Sequence, residues 1–318
     1  MTPSPDPDAA ASAPPLARAG IDRAAEERAE AGLIDRLRGN ADTRVVAVHG
    51  DRAPLTADGS LRTVAVEAIR DGVKWGFLGR DETGRALLVA AAGAQAPSPL
   101  RADPGEGAPG AAPDGWGALR AVGGEMPAVD AGVFVEAVAL GGWLVAAPFC
   151  SACGGRTEVR SAGWSRHCPS CGREHFPRTD PAVIVAVTTP DRERLLLGKN
   201  ALWADRNMYS TFAGFVEAGE SLEATIVREV AEEAGVTVSA AAYRGSQAWP
   251  YPRSLMLGFH ATAADPEAAR ADGEEIVDVR WFTRAELTAA FAGEADFALP
   301  GTASIAHRLI ADWVAMPE

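Results

Sequence analysis

The stretch from Gly214 to Val236, GFVEAGESLEATIVREVAEEAGV, constrains the fold more than any other part of the chain. Ser221 is a good N-cap, Glu223 complements the positive end of the helix dipole, and Gly235 sits where a helix usually ends in a left-handed residue. Between them Leu222, Ile226 and Val230 recur at i, i+4 and i+8, with Val227 and Ala234 widening the stripe, so one face is apolar and seeks a core. At about 100° per residue, Glu229 and Glu233 lie roughly 40° apart and Glu232 roughly 60° from Glu229. Two or three acids therefore stack beside the buried stripe, where like charges repel, and more strongly when partly desolvated. A hard divalent cation is the simplest neutralising partner, and such ions join carboxylates to substrate phosphates. Arg228 lies on the neighbouring arc, placed to hold Glu232 or a loop carboxylate. For a generic E-x-x-E-E run the ordinary alternative is a solvated acidic face.

The same stretch agrees without departure with the pattern G-x5-E-x7-R-E-U-x-E-E-x-G-U, where U is aliphatic, at Gly214, Glu220, Arg228, Glu229, Val230, Glu232, Glu233, Gly235 and Val236. Nine constrained positions over 23 residues make this similar to the signature of the Nudix family. The resemblance implies an α+β chain with a Nudix α/β/α sandwich built on a mixed sheet. It also implies an enzyme that cleaves a nucleoside diphosphate linked to another moiety, with the helix holding Mg2+ or Mn2+.

A length of 318 residues suggests about two folded domains, and 47% hydrophobic residues is ample for packed cores. Residues 1–30 are expected to be a disordered tail: the first 18 hold five Pro and many Ala, with no basic start and apolar core of a signal peptide. Residues 31–145 read as a small, sheet-rich α+β domain, with apolar or alternating runs at 43–49, 73–78 and 86–92. Residues 93–115, rich in Ala, Pro and Gly, read as a long loop. The nearly apolar run 131–149 is the one candidate membrane span. Glu136 inside it, Gly141 and Gly142, and the cysteines just after it favour a buried helix followed by a short strand, so no membrane partner is expected.

All four cysteines fall within residues 146–177, as Cys150-x2-Cys153 and Cys168-x2-Cys171 separated by fourteen residues. This spacing matches a zinc ribbon, in which four thiolates close a tetrahedral Zn2+ to solvent and leave no position for a reacting water, so its role is structural. Redox pairs or disulfides are the alternative, and nothing indicates secretion; a cytoplasmic location is expected. His167 and His175 are possible substitute ligands, or exposed loop residues. A ribbon can also bind nucleic acid, for which this one offers Arg156, Arg160, Arg166, Arg173 and Trp164.

The catalytic region is expected over 178–318. AVIVAVTT and RLLLG read as a hairpin with Asp191 and Arg192 at its turn, and the segment from Tyr209 to Phe215 as a strand end. Ser246 to Ser254, SQAWPYPRS, is unusual: alternating Pro250 and Pro252 are expected to hold Trp249 and Tyr251 in an extended arrangement suited to stacking on a flat ring, or to a dimer contact. LMLGFHATA and IVDVRWF read as strands, a helix starts at the capping box of Thr283 and Glu286, and another runs from about Ser304 to Ala315.

The order of sheet domain, four-cysteine ribbon, complete box and SQAWPYPRS resembles the NADH pyrophosphatase branch of the Nudix family, whose marker reads Ser-Gln-Pro-Trp-Pro-Phe-Pro-x-Ser. Ala248 replaces its Pro and Tyr251 its Phe; the ring is kept and the loop loosened. The resemblance implies metal contacts from Glu229, Glu233, the main chain at Ala213, and Glu275, with Glu232 a further metal-side carboxylate. It implies a nucleotide pocket lined by Phe176 and Phe215, a dinucleotide cradle from Gln247, Ala248, Trp249, Pro250, Tyr251, Pro252, Arg253 and Ser254 with Ala306 against it, and a homodimer. A carboxylate among Glu229, Glu232 and Glu233 accepts the proton of the attacking water, with Glu233 the choice. The substrate implied is NAD(H), cleaved to AMP and nicotinamide mononucleotide, or NAD-capped RNA. The capped RNA needs a path for a polyanion that a formal net charge of -13 does not advertise. A nucleotide-sensing or nucleic-acid-binding protein on this scaffold predicts a broken box, and the box is intact.

Overall fold

Five consecutive buried residues follow Arg44 in RVVAVH, the pattern of a strand covered on both faces, and the chain there forms β1 (Arg44–His49). The computed structural model describes residues 13–18, 20–101 and 115–316. The chain divides into two units, one spanning Met1–Thr179 and Pro250–Arg253, the other Asp180–Trp249 and Ser254–Glu318. The ribbon thus shares a unit with the N-terminal sheet, where the sequence suggested a separate domain.

In the first unit, β1 is joined by β2 (Arg52–Pro54), β3 (Lys74–Arg80), β4 (Ala86–Ala92) and β5 (Trp116–Ala118) in the order β3-β4-β1-β2-β5, with β1 and β4 parallel. Two short helices, α1 (Leu33–Arg38) and α2 (Leu119–Val122), accompany the sheet. The candidate span becomes α3 (Ala128–Ala146), which packs on β3 and β4 and against the Pro15–Ala17 turn. Its length and composition would suffice to cross a membrane, and 56% of it is buried within the protein. A Cβ on Gly141 would meet the Ala91 Cβ at 2.8 Å, so the glycine lets helix and sheet approach. Glu136 lies inside this packing; burial pushes its carboxyl up to about 7, against the pull of Arg23, whose Nη2 stands 3.7 Å away. Among the described residues no strand directly follows α3 at 147–149; Phe149 makes a single bridge to Arg156.

The disordered tail is corrected for its described part. Leu16 and Ala24 are buried, and the Arg18 guanidinium donates to the carbonyls of Pro15, Gly123 and Met126 at 2.7, 2.9 and 2.8 Å. These contacts, with the Glu27–Arg80 pair, hold a segment whose composition reads as unstructured. Residues 1–12, and residues 102–114 of the expected loop, lie outside the described residues.

The ribbon is a three-stranded sheet of β6 (Glu158–Arg160), β7 (Ser165–His167) and β8 (Glu174–His175). Its 161–164 loop docks on β3. The Trp164 indole donates to the Phe77 carbonyl at 2.7 Å, at the bulge where β3 slips register against β4, and the Arg28 guanidinium lies 3.8 Å from the ring centroid. A Cβ on Gly163, at φ +101°, would stand 2.8 Å from the Gly76 Cα.

The second unit is the expected sandwich. β9 (Asp180–Thr188) pairs in parallel with β13 (Ser254–Ala263) and antiparallel with β10 (Arg194–Asn200) and β11 (Phe212–Phe215); β12 (Val238–Trp249) and β14 (Ile276–Thr283) lie outside. The alternation of β9 divides two cores. Val183, Val185 and Val187 face α4 (Leu222–Ala234) through Ile226, Val230 and Ala234. Ile184 and Ala186 face α5 (Arg284–Phe291) and α6 (Ile305–Ala315) through Leu287, Ile305, Leu309 and Trp313. The Thr283 capping box is present, and Arg192, at φ +62°, turns the β9–β10 hairpin.

Candidate active site

The site is built on α4. Ser221 caps it, its Oγ accepting the Ala224 N–H at 3.2 Å, and Gly235 ends it at φ +68°. The apolar stripe is buried as the spacing requires, which presents Arg228, Glu229, Glu232 and Glu233 beside β11.

Arg228 commits all five of its N–H groups. Nε and Nη2 donate to the two oxygens of Glu220 at 2.8 Å each, Nη2 also to the Phe215 carbonyl at 3.0 Å, and Nη1 to Glu229 and Glu232 at 2.8 and 3.0 Å. The guanidinium holds the Glu220 carboxyl down at about 2, helped by the Glu217 N–H. One side chain therefore ties the loop entering α4 to the carboxylate face. A lysine carries three donors on a point charge and cannot span these partners. Arg228→Lys is expected to lower divalent-cation affinity and kcat about 10–100-fold, the usual cost of losing a partner that orients ligands, measured by titration calorimetry and steady-state rates.

Glu233 is buried and keeps one described hydrogen bond, from the Ala213 N–H at 3.3 Å. Burial, with the charges of Glu275 and Glu229 beside it, pushes its carboxyl up to about 8. Burial raises Glu229 as well, though Arg228 opposes this. On β11, a Cβ at Gly214 would fall 1.8 Å from the Glu229 carboxyl carbon, so only glycine lets that carboxylate lie across the strand. These hard oxygen donors, two of them held against their charge by burial, fit a divalent cation. Among the described residues the carboxylates do not gather as closely as the ribbon thiols, and Arg228 pairs with both Glu229 and Glu232. Glu275 precedes β14; Asn200 and Asp272, which the sequence reading did not single out, bond to its segment.

The marker segment departs from its expected extended form. It is a hairpin: Ser246 to Trp249 lie on β12, Pro250–Arg253 make the turn with a cis Tyr251–Pro252 bond, and Ser254 opens β13 opposite Trp249. Strand pairing with Met256 and Leu255 overrides the stiffness read from the two prolines. Gln247 is buried, its Nε2 donating to the Ala303 carbonyl at 3.1 Å, and Ser254 and Ala306 are buried too; Ala248 and Trp249 are half-buried. Within the first unit, Pro250 is buried, Pro252 and Arg253 are exposed, and the Tyr251 ring lies under the Arg120 guanidinium at 4.3 Å, which in turn pairs with Asp51 at 3.1 Å. Phe215 and Phe176 expose 54% and 52% of their surface, open faces for stacking.

In the ribbon, the Sγ atoms of Cys150, Cys153, Cys168 and Cys171 all lie within 4.8 Å of one another, with Cys150–Cys171 at 3.7 Å and Cys153–Cys168 at 3.5 Å. Thiolates at about 2.3 Å from a tetrahedral Zn2+ stand about 3.8 Å apart, whereas a disulfide needs about 2.05 Å, so the cluster fits a structural zinc and not cystines. His175 is neither ligand nor loop residue: its Nε2 lies 3.2 Å from Cys150 Sγ as an outer partner. His167 pairs with Glu174 at 2.8 Å. Trp164 and Arg166, the latter donating to the Leu144 carbonyl at 2.5 Å, are spent inside the unit, which removes much of what the ribbon offered a nucleic acid.

Comparison with known proteins agrees with this geometry. Residues 178–300 match the NUDIX domain model and residues 146–176 the NADH pyrophosphatase zinc ribbon domain. The chain is 40% identical over 314 residues to the NAD-capped RNA hydrolase NudC of Mycobacterium tuberculosis H37Rv, covering 96% of each chain. It is 41% identical over 198 residues to the protein of the same name from Stutzerimonas stutzeri, covering 61% of this chain and 66% of that one. The NAD-capped RNA hydrolase NUDT12 of Macaca fascicularis is 38% identical over 195 residues, 58% of this chain and 42% of its own. With the box helix, the ribbon and a relative matched over 96% of both chains, the chain belongs to the Nudix hydrolase family, in its NudC branch.

Proposed function

We propose that this protein hydrolyses the pyrophosphate of NAD(H), giving AMP and nicotinamide mononucleotide. The observation that carries this reading is the carboxylate face of α4: Glu233 is buried and unneutralised beside Glu229 and Glu275 while Arg228 is fully spent on other partners. Glu229, Glu232, Glu233, Glu275 and the main chain at Ala213 would hold Mg2+ or Mn2+. When bound, the cation supplies positive charge at the pyrophosphate oxygens. Glu233 accepts the proton of the attacking water through a carboxylate oxygen not committed to the cation. Arg228 keeps Glu229 and Glu232 from collapsing onto that acceptor, and Phe215 offers an open ring to a base. Homodimer formation and a cytoplasmic setting belong to the same proposal. Residues 239–244 of the edge strand β12 are all exposed, which supports pairing with a second copy, and reduced thiols for zinc suit a reducing compartment.

NAD-capped RNA is the second reading, favoured by the name carried by relatives at 40% identity and opposed by the net charge of -13. A comparison of kcat/KM for NADH, NAD+, ADP-ribose and a short NAD-capped RNA, with Mg2+ and with Mn2+, separates them. The free dinucleotide is expected to be fastest; preference for the capped RNA would reverse the order of the two readings.

Cation binding should also move protons. At pH 7 a carboxyl pushed up to about 8 is mostly protonated, and a ligand must be ionised, so Mn2+ binding releases close to one proton and tightens as pH rises to about 8. Calorimetry in buffers of different ionisation enthalpy reads this directly, and in Glu233→Gln the release is expected to vanish.

A further inference from the structure

Glu275 differs from the other three carboxylates assigned to the cation in lying on a loop, where a free side chain would lose orientation entropy on every binding event. Its segment is gripped from three directions. The Asp272 carboxylate accepts the backbone N–H groups of Glu274, Glu275 and Ile276, through Oδ1 at 2.5, 2.8 and 3.2 Å, with Oδ2 a further 3.3 Å from the last. The Glu275 carbonyl accepts the Ala201 N–H at 2.8 Å. Asn200 closes the arrangement: its Nδ2 donates to Glu275 Oε1 at 3.3 Å while its Oδ1 accepts the Leu202 N–H at 2.9 Å. Asn200 stands where β10 slips register against β14, between Lys199 and Asn200, and bulges of this kind re-aim side chains.

These bonds fix the backbone around Glu275, and one of them reaches its carboxylate. Asp272 is exposed and fills no core, and Asn200 reaches Glu275 from a different strand. The result is a loop carboxylate whose charge is felt by both Glu233 and Glu229.

We propose that Asp272 and Asn200 are positioning residues that preset Glu275 toward Glu229 and Glu233 and thereby set the affinity of the divalent-cation site. Neither touches the cation; both act through Glu275. This rests on the assignment of Glu275 as a cation ligand.

The test is Mn2+ affinity of the full chain, measured without substrate, for Glu275→Gln, Asp272→Ala, Asp272→Asn, Asn200→Ala and the double variant Asp272→Ala/Glu275→Gln. Glu275→Gln and Asp272→Ala are each expected to weaken Mn2+ about 10–100-fold, and Asn200→Ala less. Asp272→Asn keeps an acceptor oxygen without the charge and should stay near wild type. In the double variant the Asp272 effect should disappear, leaving affinity within about twofold of Glu275→Gln alone. If Glu275→Gln weakens binding and Asp272→Ala does not, the positioning role is wrong and the site stands. If Glu275→Gln itself changes nothing, the ligand assignment fails first. Equal loss from Asp272→Ala in the double variant, or from Asp272→Asn, would also overturn the proposal, pointing to general loop disruption or to charge.

Discussion

Glu233→Gln is expected to lower kcat on NADH by about 10²–10⁴-fold, the usual contribution of a positioned base, while the metal-free protein becomes no less stable. The two effects share one cause. In the unfolded chain the carboxyl titrates near its ordinary 4.5, and in the fold it is pushed up to about 8 by burial and by Glu275 and Glu229. Its contribution to stability is therefore complete below about pH 4.5 and is lost as pH rises through 8. Glutamine keeps the shape and the capacity to accept the Ala213 N–H but never carries the charge. Above pH 8 the metal-free variant should melt at or above the wild-type temperature, and Mn2+ should raise the wild-type Tm more than the variant's. Loss of turnover with retained or increased Tm cannot come from unfolding. A Tm that falls as far as activity does would mean that Glu233 is a packing residue.

The second large effect concerns zinc. Cys150→Ser is expected to abolish stoichiometric zinc and to destabilise the N-terminal sheet along with the ribbon. Structural zinc supplies on the order of 10 kcal/mol in small domains, and even a third of that would lower Tm by roughly 10 °C in a unit of this size. The loss should spread because the ribbon loop is part of the sheet's packing: Trp164 satisfies the Phe77 carbonyl at the β3 bulge, and Gly163 seats against Gly76. Hydrogen exchange should therefore accelerate in β3, a strand far in sequence from the cysteines, and strong chelation of the wild type should reproduce it. Zinc loss with β3 protection unchanged would make the ribbon an independent module.

What the sequence made legible follows from how local each signal is. The box helix, its cap and its stop were readable because helix periodicity and capping act over a few residues. The four cysteines were readable because metal geometry dictates spacing. β9 was readable as a buried strand, and its alternation then assigns Val185 to one core and Ile184 to the other. What failed was set by distant partners. Pro250 and Pro252 suggested a rigid extended string, but pairing of β12 with β13 made a hairpin, and nothing nearby in sequence signals that Arg120 covers Tyr251. Leu16 and Arg18 look like tail until Gly123 and Met126 are brought to them. Asp272 had a usable signal, since an Asp followed by Gly readily accepts the N–H groups that follow it, whereas Asn200 became visible only once pairing of β10 with β14 brings Glu275 beside it.

The central claim is cation-dependent cleavage of the NAD(H) pyrophosphate on the α4 carboxylates. Its most direct test is to incubate the purified protein with NADH and Mn2+, identify the products by mass, and repeat after removal of the divalent cation and with Glu233→Gln. AMP and reduced nicotinamide mononucleotide in equal amounts, lost without the cation and nearly lost in the variant, is the predicted result. Release of free nicotinamide with ADP-ribose, or AMP formation that survives cation removal or the Glu233 substitution, would contradict it.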